Sequence, residues 1–535
     1  GTVLSSALPP GKRCEIAQNE GGLTAMLENK QKKAKSHLFS FSEYAIAYLL
    51  AWSPTLMPKR LPSGTTLFGN CKQAKQWQQE LEDTNSFIND LAEVRRALAN
   101  IPVYTICDDH DVSDDWYLNR EWCDRVLGKP FGKRIIQNGL LAYALFQAWG
   151  NTPEHFEPGT PGEKLLQMAS RWLMSEGKDT VAKAECDRYL GIPETDQTTG
   201  LPKLEKDEDV LILARDTQAI PWHYSISSDK HEVIVLDTRT WRGYPVGEDN
   251  KLEPPMLLCP KAFEQQLQVF LAQSQPDIEA TIVVVPTNLV TLGIIDRIQQ
   301  FELSRNRVFS SDVGDSWNFH QEAFAQLLLA FCQQRKRVII FSGDIHYSCA
   351  VCLTHWFHDS SKTSVLVQLT SSAIKNSELA TRLAHTKIKS LVPEKTERFF
   401  GWEQPLTLQK VTKSKDLDSQ KPLPDWQYRI QWCQRQPSQS LPWRKVPRQS
   451  QQQPNWLSKL ITLFVAWIWR NRWLQEGPEV IGRNNLSLVK FHWSTTKAVI
   501  QETYWHPPWN ETRTVRSCYE VSLEPDSLPP LPNRK

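Results

Sequence analysis

The sequence lacks an apolar run long enough to cross a membrane. The most apolar stretch toward its end, Leu460 to Trp469, is about ten residues long, whereas a membrane-spanning helix needs ~20. Arg470 and Arg472 follow directly. We therefore expect the range 456–475 to form a helix that is buried, contacts a protein partner or rests on a membrane surface.

A secretion signal is also missing. The chain begins at Gly1 rather than at a methionine, and no charged segment followed by an apolar segment and a cleavage site is visible. We expect a cytoplasmic protein whose N-terminus is processed or incomplete.

The chain has no excess of charge of either sign, since 62 basic residues face 60 acidic ones. Such a balance gives no long-range field for nucleic acid, so a nucleic-acid partner is not expected. The 11 cysteines are odd in number and scattered, unlike a disulfide framework, which indicates a reducing compartment. Cys349 and Cys352 form a CxxC without a second pair, and we favour buried thiols over a metal or redox site.

Helical patterns dominate residues 1–100. Phe41 to Trp52 is apolar at helical spacing, and Gln76 to Ala99 mixes charged and apolar residues with the same period. The β-branched segment Ile101 to Ile106 is expected to form a strand, and Ile135 to Trp149 a further helix.

Residues from about 210 to 370 alternate strands with a helix. The polar range 151–209 is expected to be a surface insertion with one helix near Leu165 to Met174. A helix is expected at Gln321 to Gln333. The expected strands are Val210–Ala214, His223–Ile226, Glu232–Leu236, Thr281–Val285, Val338–Phe341 and Ser364–Leu369. This order predicts an α/β fold.

The last third of the sequence changes in composition. Residues 405–455 are rich in Gln, Lys, Pro and Ser, which predicts a linker or an exposed loop. Residues 456–535 are expected to form a C-terminal extension, with an alternating pattern at Leu486 to Trp493.

A first cluster of polar residues follows the apolar segment that ends at Ile106. His110 lies among five carboxylates, those of Asp108, Asp109, Asp111, Asp114 and Asp115. That much negative charge repels itself, and a bound cation would relieve the repulsion. Oxygen ligands with one nitrogen suit Mg, Ca, Mn, Fe or Zn. The alternative is a solvated acidic turn with helix-capping aspartates.

A second cluster, Ser342-Gly-Asp-Ile-His346, follows another apolar strand. Asp344 and His346 are two residues apart and would share one side of an extended segment, so both could face one cation. Gly343 would let the backbone approach closely. The alternative is a satisfied polar pair at a strand end. Both clusters pair a carboxylate with a histidine, a set typical of two-metal phosphoester hydrolysis.

Together these residues resemble the PhoD-like alkaline phosphatases, a branch of the calcineurin-like metallophosphoesterases. The resemblance spans roughly residues 35–500. It rests on DDHDVSDDW (108–116), LDTRTWRGYP (236–245), SDVGDSW (311–317), SGDIHYS (342–348), LTSSAIKN (369–376) and RNNLSLV (483–489).

The resemblance implies a sandwich of two β-sheets flanked by helices, with a two-metal centre that hydrolyses phosphomonoesters or phosphodiesters. Residues 1–100 would be the N-terminal part of that domain and 101–404 its core. By position, Asp109, Asp344 and His346 would be metal ligands and His110 the general acid. The two metals would come from Fe, Ca, Mn, Zn or Mg, and the partner would be a small phosphoester.

Three further expectations concern neighbouring residues. Arg239 is a candidate phosphate contact through its planar fork of donors, or else part of a buried ion pair with Asp237 or another carboxylate. Asp315 and Trp317 could line the pocket, with packing the preferred role for Trp317.

One departure from the family favours a second hypothesis. The family's early metal ligand and its Gly-Asp motif have no counterpart here, since no Gly-Asp pair precedes residue 100. The alternative function is therefore a catalytically impaired protein of the same fold that binds a partner or a membrane. A metal hydrolase acting on another kind of bond is a third reading.

Overall fold

The computed structural model divides the chain into two compact units, one of residues 1–205 with 213–222, the other of 206–212 with 223–535. The structure describes residues 8–9, 11–23, 31–58, 60–246, 254–273, 277–293, 315–317, 320–358, 362–374, 394–411, 422–436, 439–441, 478–494, 496–506 and 514–527. The predicted helix at 456–475 lies outside these ranges. No helix among the described residues is long and apolar enough to span a membrane.

The first unit is helical. Its α-helices are α1 (Cys14–Asn19), α2 (Phe41–Trp52), α3 (Gly64–Phe68), α4 (Lys72–Leu98), α5 (Arg120–Leu127), α6 (Pro130–Tyr143), α7 (Pro161–Met174) and α8 (Thr180–Tyr189). Helix α6 continues through a π turn (Ala144–Ala148) into a last turn (Trp149–Asn151). In the described part of this unit, 3-10 turns lie at Gln31–Ser36, Pro54–Leu56, Asp109–Asp111 and Pro153–Phe156.

Local chemistry explains where the main helices begin. Ser40 and Glu43 form a capping box that starts α2 at the predicted residue. Proline occupies the first turn of α6, where its missing N–H costs nothing. Gly132 in that helix is required by close packing, because a Cβ there would lie 2.3 Å from the carbonyl oxygen of Val126.

Two predictions in this unit are wrong. Residues 101–106 form no strand. Instead the Asn151 side chain accepts from Thr105 N at 2.9 Å and donates to its carbonyl at 3.0 Å, in place of a neighbouring strand. The range 151–209 contains a second helix, α8, whose buried Ala182 and Cys186 are one turn apart.

The strands lie mainly in the second unit. They are β1 (Leu204–Asp207), β2 (Val210–Leu213), β3 (Tyr224–Ser227), β4 (His231–Val235), β5 (Tyr244–Pro245), β6 (Ala280–Val285), β7 (Arg337–Ser342), β8 (Ser348–Phe357), β9 (Thr363–Thr370), β10 (Glu397–Glu403), β11 (Leu406–Lys410), β12 (Trp426–Trp432), β13 (Gln439–Ser440), β14 (Val480–Ile481), β15 (Asn485–Trp493), β16 (Lys497–Trp505) and β17 (Val515–Ser522). Among the described residues, the helices that accompany them are α9 (Pro260–Phe263) and α10 (Gln321–Gln334); α9 continues through Glu264–Gln268 to Val269–Ala272.

Ten of these strands form one sheet in the order β11-β10-β12-β8-β9-β7-β6-β4-β3, with β14 also pairing with β8. The pairs β4–β6, β6–β7 and β7–β9 are parallel. Their carboxyl ends therefore share one edge of the sheet, the edge where α/β proteins build sites. A four-stranded antiparallel sheet has the order β13-β17-β16-β15.

The predicted sandwich of two sheets with helices is confirmed. One core joins the two sheets, with Val367 of β9 and Tyr519 of β17 both fully buried in it. The opposite face of the large sheet is covered by helices, where Ile340 of β7 packs in a core with Leu328 of α10 and Leu267. Burying each such side chain stabilises the fold by about 1.5–3 kcal/mol.

Two further expectations meet different outcomes. The range 405–455 is not simply a linker, because β11 and β12 within it belong to the large sheet. The expectation of buried thiols in the CxxC is met by Cys349, which belongs to the helix-side core of β8, whereas Cys352 is partly buried and packs against the core between the sheets. Thiols three residues apart on a strand face opposite sides and cannot share one metal.

Candidate metal site

The acidic loop after residue 107 is folded around Asp109. This carboxylate is buried and accepts two backbone N–H groups, from His110 at 2.9 Å and from Asp115 at 3.0 Å. Asp115 adopts a left-handed conformation with φ of 62°, which aspartate tolerates better than most residues. The turn brings the Asp115 and Asp114 carboxylates toward Asp109.

Side chains of the first unit hold this loop in place. The Tyr44 hydroxyl of α2 donates to the carbonyl oxygen of Val112 at 2.6 Å. His37 contacts the Leu38 carbonyl through Nδ1 at 2.7 Å and the Ser113 hydroxyl through Nε2 at 3.0 Å. Since a carbonyl only accepts, Nδ1 carries the proton. Burial lowers the pKa of His37, so the ring is neutral near pH 7 and Nε2 accepts from Ser113.

Asp111 has a structural role in the loop. Its carboxylate accepts from Asp108 N at 3.0 Å, from Gln147 Nε2 at 2.5 Å and from the Tyr48 hydroxyl at 3.2 Å. Burial raises its pKa to about 6, although these hydrogen bonds favour the charged form. The alternative of a capping aspartate is therefore correct for Asp111, which also forms a capping box with Asp108.

The remaining carboxylates fit a cation. Asp109, Asp114 and Asp115 each offer an oxygen, and these atoms lie within 4.8 Å of one another. Two oxygens on opposite sides of one cation, each bound at about 2.0–2.6 Å, are about 4–5 Å apart, so this spacing is compatible with a shared cation. Each carboxylate oxygen has two lone pairs, so the backbone hydrogen bonds to Asp109 leave room for a metal. An all-oxygen set of this kind suits Mg, Ca or Mn. His110 is exposed beside it.

In the second unit, Asp344 lies just beyond β7 in a tight turn. Its φ is 63°, and Ile345 N donates to the carbonyl oxygen of Gly343 at 2.7 Å, which closes a three-residue γ-turn. The expected need for glycine at 343 is not seen, because a Cβ there would meet no described atom nearer than 3.9 Å. The left-handed position is Asp344 itself.

His346 follows that turn and is partly buried. Within the described part of the chain its Nδ1 atom is buried and has no hydrogen-bond partner. Such an atom costs free energy unless something binds it. A ligand role for His346 would provide that partner, and the role stays a prediction.

Arg239 forms the buried ion pair that was its alternative to phosphate contact. Its guanidinium lies 2.8 Å from Asp315, and the Arg242 guanidinium lies 2.5 Å from the other oxygen of the same carboxylate. Burial alone would raise the pKa of Asp315, but the two guanidinium groups outweigh it and the pKa is lowered. Arg239 is also 3.9 Å from Asp344. Trp317 is buried in the core, as expected.

Sequence reasoning missed two residues at this edge of the sheet. Asn288, just after β6, is fully buried; its Oδ1 accepts from Ser342 at 2.6 Å and from Thr370 at 3.0 Å. Its amide nitrogen has no acceptor among the described residues. The second missed residue is Arg242. Asn288 could have been found from its position directly after the apolar run of β6, because Asp344 was selected for the same position after β7.

The predicted site residues thus fall into two sets. Asp109 and His110 belong to the first unit, whereas Asp344, His346 and Arg239 belong to the second. The expectation that they share one two-metal centre stays a prediction.

Comparison with known proteins gives little further information. No family model and no curated protein matches the chain. A solved structure of PhoD matches 54% of this chain at 15% sequence identity, with a TM-score of 0.27. The match covers 42% of that protein's chain. These values establish neither a family nor an activity, so the function is argued below from the residues themselves.

Proposed function

We propose that this protein is a metal-dependent phosphoesterase. The observation that carries the proposal is the group of Asp109, Asp114 and Asp115, whose oxygens lie within 4.8 Å of one another beside an exposed histidine. A divalent cation held by these oxygens would polarise a phosphoryl oxygen and offset the charge that develops during displacement at phosphorus.

The chain's own residues supply the remaining chemistry. His110 is adjacent in sequence to the buried ligand Asp109, and its exposed ring can reach a substrate in solvent. In this proposal its imidazolium protonates the departing alkoxide oxygen, the step at which a general acid contributes most. Backbone N–H groups from His110 and Asp115 keep Asp109 in one orientation.

The second set extends the proposal to two metals. Asp344 and His346 pair a carboxylate with an imidazole after β7, and two ions held close together could clamp both the attacking and the leaving oxygen. The identity of the ions and the preference for monoesters or diesters belong to the same proposal. An assay with both substrate types distinguishes monoester from diester preference.

The test measures metal content and hydrolysis in matched variants. Asp109→Asn should lose bound metal, whereas His110→Ala should keep the metal and lose roughly 100-fold or more in rate. Asp196→Asn is the matched control, because an asparagine can still accept from Thr199 N in that exposed turn. Undiminished hydrolysis by both site variants would refute the assignment, and activity on carboxyl esters alone would exclude phosphoesters.

Variants of the second set test whether one centre is formed. If His346→Ala and Asp109→Asn each lower the metal content from about two ions per chain to one or none, both sets bind metal. Full metal content in His346→Ala would restrict the site to the first unit.

A further inference from the structure

A long segment of the first unit contains no acidic residue. Between Glu43 and Glu80 the chain has four basic residues, Lys59, Arg60, Lys72 and Lys75, and neither Asp nor Glu. The whole protein is nearly balanced in charge. Residues 44–79, here called the basic apolar segment, therefore carry a local charge of +4 that the overall composition hides.

The same segment exposes large apolar side chains. Leu56 is 60% exposed, Ile46 is 53% exposed and Leu67 is 46% exposed. Leu49, Trp52 and Phe68 are exposed as well. Isolated exposed apolar residues are common on protein surfaces, but six within 23 residues are not.

Helix α4 begins with basic residues, which its dipole disfavours at that end, while Arg95 and Arg96 complement the dipole in its last turn. Lys72 and Lys75 lie in or next to its first turn, at the positive end of the helix, where cations are unfavourable. The acidic residues come later, at Glu80, Glu82, Asp83, Asp90 and Glu93. The start of the helix is thus strongly positive, an arrangement that an external anion would stabilise.

Contacts show that the segment is folded. Trp77 Nε1 donates to the carbonyl oxygen of Pro62 at 2.8 Å, and the ring of Trp77 meets that of Phe68 edge-on at 5.8 Å. Arg95 of α4 donates to the Thr55 hydroxyl at 2.9 Å. Helix α4 therefore packs against the residues around Thr55, Pro62 and Phe68, among which exposed apolar side chains lie.

We propose that the basic apolar segment docks the protein on an anionic lipid surface. Exposed leucine, isoleucine and tryptophan next to basic residues are the composition of peripheral membrane anchors. A lipid surface needs no shape complementarity, so it suits apolar side chains spread over α2, a 3-10 turn and α3. A folded protein partner would instead require one contiguous, complementary patch. The inference does not depend on the proposed activity.

The experiment is sedimentation of the full chain with lipid vesicles. Vesicles of phosphatidylcholine with roughly one-third phosphatidylserine should bind the protein, and pure phosphatidylcholine vesicles should bind it far more weakly. Raising the salt to about 0.5 M should release much of the bound protein, because screening removes the attraction between the charges.

Three sets of variants locate the contact. The triple variant Arg60→Gln, Lys72→Gln, Lys75→Gln should weaken binding by roughly 100-fold. The double variant Ile46→Ser, Leu56→Ser should weaken it by about tenfold or more, and neither side chain is buried, so the fold should persist. The control is Met174→Ser, Val181→Ser, which removes apolar side chains that are 82% and 63% exposed elsewhere in the unit.

Either result decides the proposal. Loss of binding in the first two variants but not in the control, with unchanged circular dichroism, supports it. It is overturned if the full chain binds neither vesicle, as a protein-docking surface would predict. It is also overturned if both variants bind as well as the parent, which would assign any membrane contact to another part of the chain.

Discussion

Two buried ionisable groups near opposite ends of the large sheet have opposite surroundings. At the carboxyl end of the parallel strands, Asp315 lies between the guanidinium groups of Arg239 and Arg242. At the other end, near the end of β8, the His355 ring stacks on Trp426 at 4.9 Å. Neither ring nitrogen of His355 has a hydrogen-bond partner among the described residues.

The difference shows that burial alone does not decide whether a group is charged. Burial disfavours the charged form at both ends. Beside Asp315 the two cations outweigh that cost and lower its pKa, whereas burial lowers the pKa of His355 to about 3. The neighbours of each group therefore decide its charge: at the amino end of the parallel strands, buried Glu232 keeps an ion pair with Arg335 at 2.7 Å, whereas His355 has no such partner among the described residues.

The largest expected effect is on acid stability through His355. Above pH 6.5 its ring is neutral in both the folded and the unfolded chain. As the pH falls from 6.5 toward 3, only the unfolded chain binds the proton, so the free energy of unfolding decreases. The loss from this group reaches about 5 kcal/mol near pH 3. His355→Phe keeps an aromatic ring and removes the titration.

Denaturant unfolding of the parent and of His355→Phe at several pH values measures this effect. The variant should be at least as stable as the parent at pH 7.5, since no described hydrogen bond is lost. Its advantage should grow steadily below pH 6.5. A constant difference across the pH range would show that His355 finds a partner for its proton.

At the carboxyl end of the parallel strands, Asp315→Asn should cost about 3–5 kcal/mol of unfolding free energy, because two buried guanidinium groups then lose the carboxylate that they share. Urea unfolding at neutral pH measures the loss. Arg239→Met is the matched control and should cost less, since Asp315 keeps Arg242 at 2.5 Å. Equal losses in the two variants would contradict the idea that the carboxylate balances both cations.

This comparison also shows what the sequence could predict. The strands at Thr281–Val285 and Val338–Phe341 follow from local apolar runs, whereas the sandwich of two sheets was expected from the family resemblance. Helix α2 follows from spacing and a capping serine. The missing strand at 101–106 was not predictable, because Asn151, which pairs with Thr105, lies 46 residues away.

The candidate site divides in the same way. Asp109, His110, Asp344 and His346 could be selected because each follows an apolar segment in sequence. The partner of Arg239 could not, since Asp315 is 76 residues distant and only the fold pairs them. The separate roles of Asp109 and Asp111, one beside the other acids and one held by Gln147, also depend on contacts that spacing does not reveal.

Asp111 in the first unit provides an intermediate case, because it is buried with neutral donors instead of cations. Its pKa is raised to about 6, whereas the pKa of Asp315 is lowered. The neutral donors around Asp111 thus offset the effect of burial less than the two cations beside Asp315 do. Gln147→Met should cost about 2 kcal/mol, the typical value of a hydrogen bond to a charged group. Tyr48→Phe should cost less in the same unfolding assay. Both variants lose the 2.8 Å bond from Gln147 to the Tyr48 hydroxyl, so their difference compares the 2.5 Å and 3.2 Å bonds to Asp111. A larger loss in Tyr48→Phe would reverse the assignment of the stronger donor.

The smallest expected effect tests whether the turn at Asp344, at the carboxyl end of β7, is under backbone strain. Asp344 has a φ of 63°, a conformation that costs alanine about 1 kcal/mol but costs glycine nothing. Asp344→Ala and Asp344→Gly both remove the carboxylate, so their difference in unfolding free energy isolates the backbone. Glycine should be the more stable, which is the reverse of the usual order, because glycine ordinarily loses more chain entropy on folding. If alanine were the more stable, the turn would impose no backbone strain, and only the charge of the Asp344 side chain would explain an aspartate at this position.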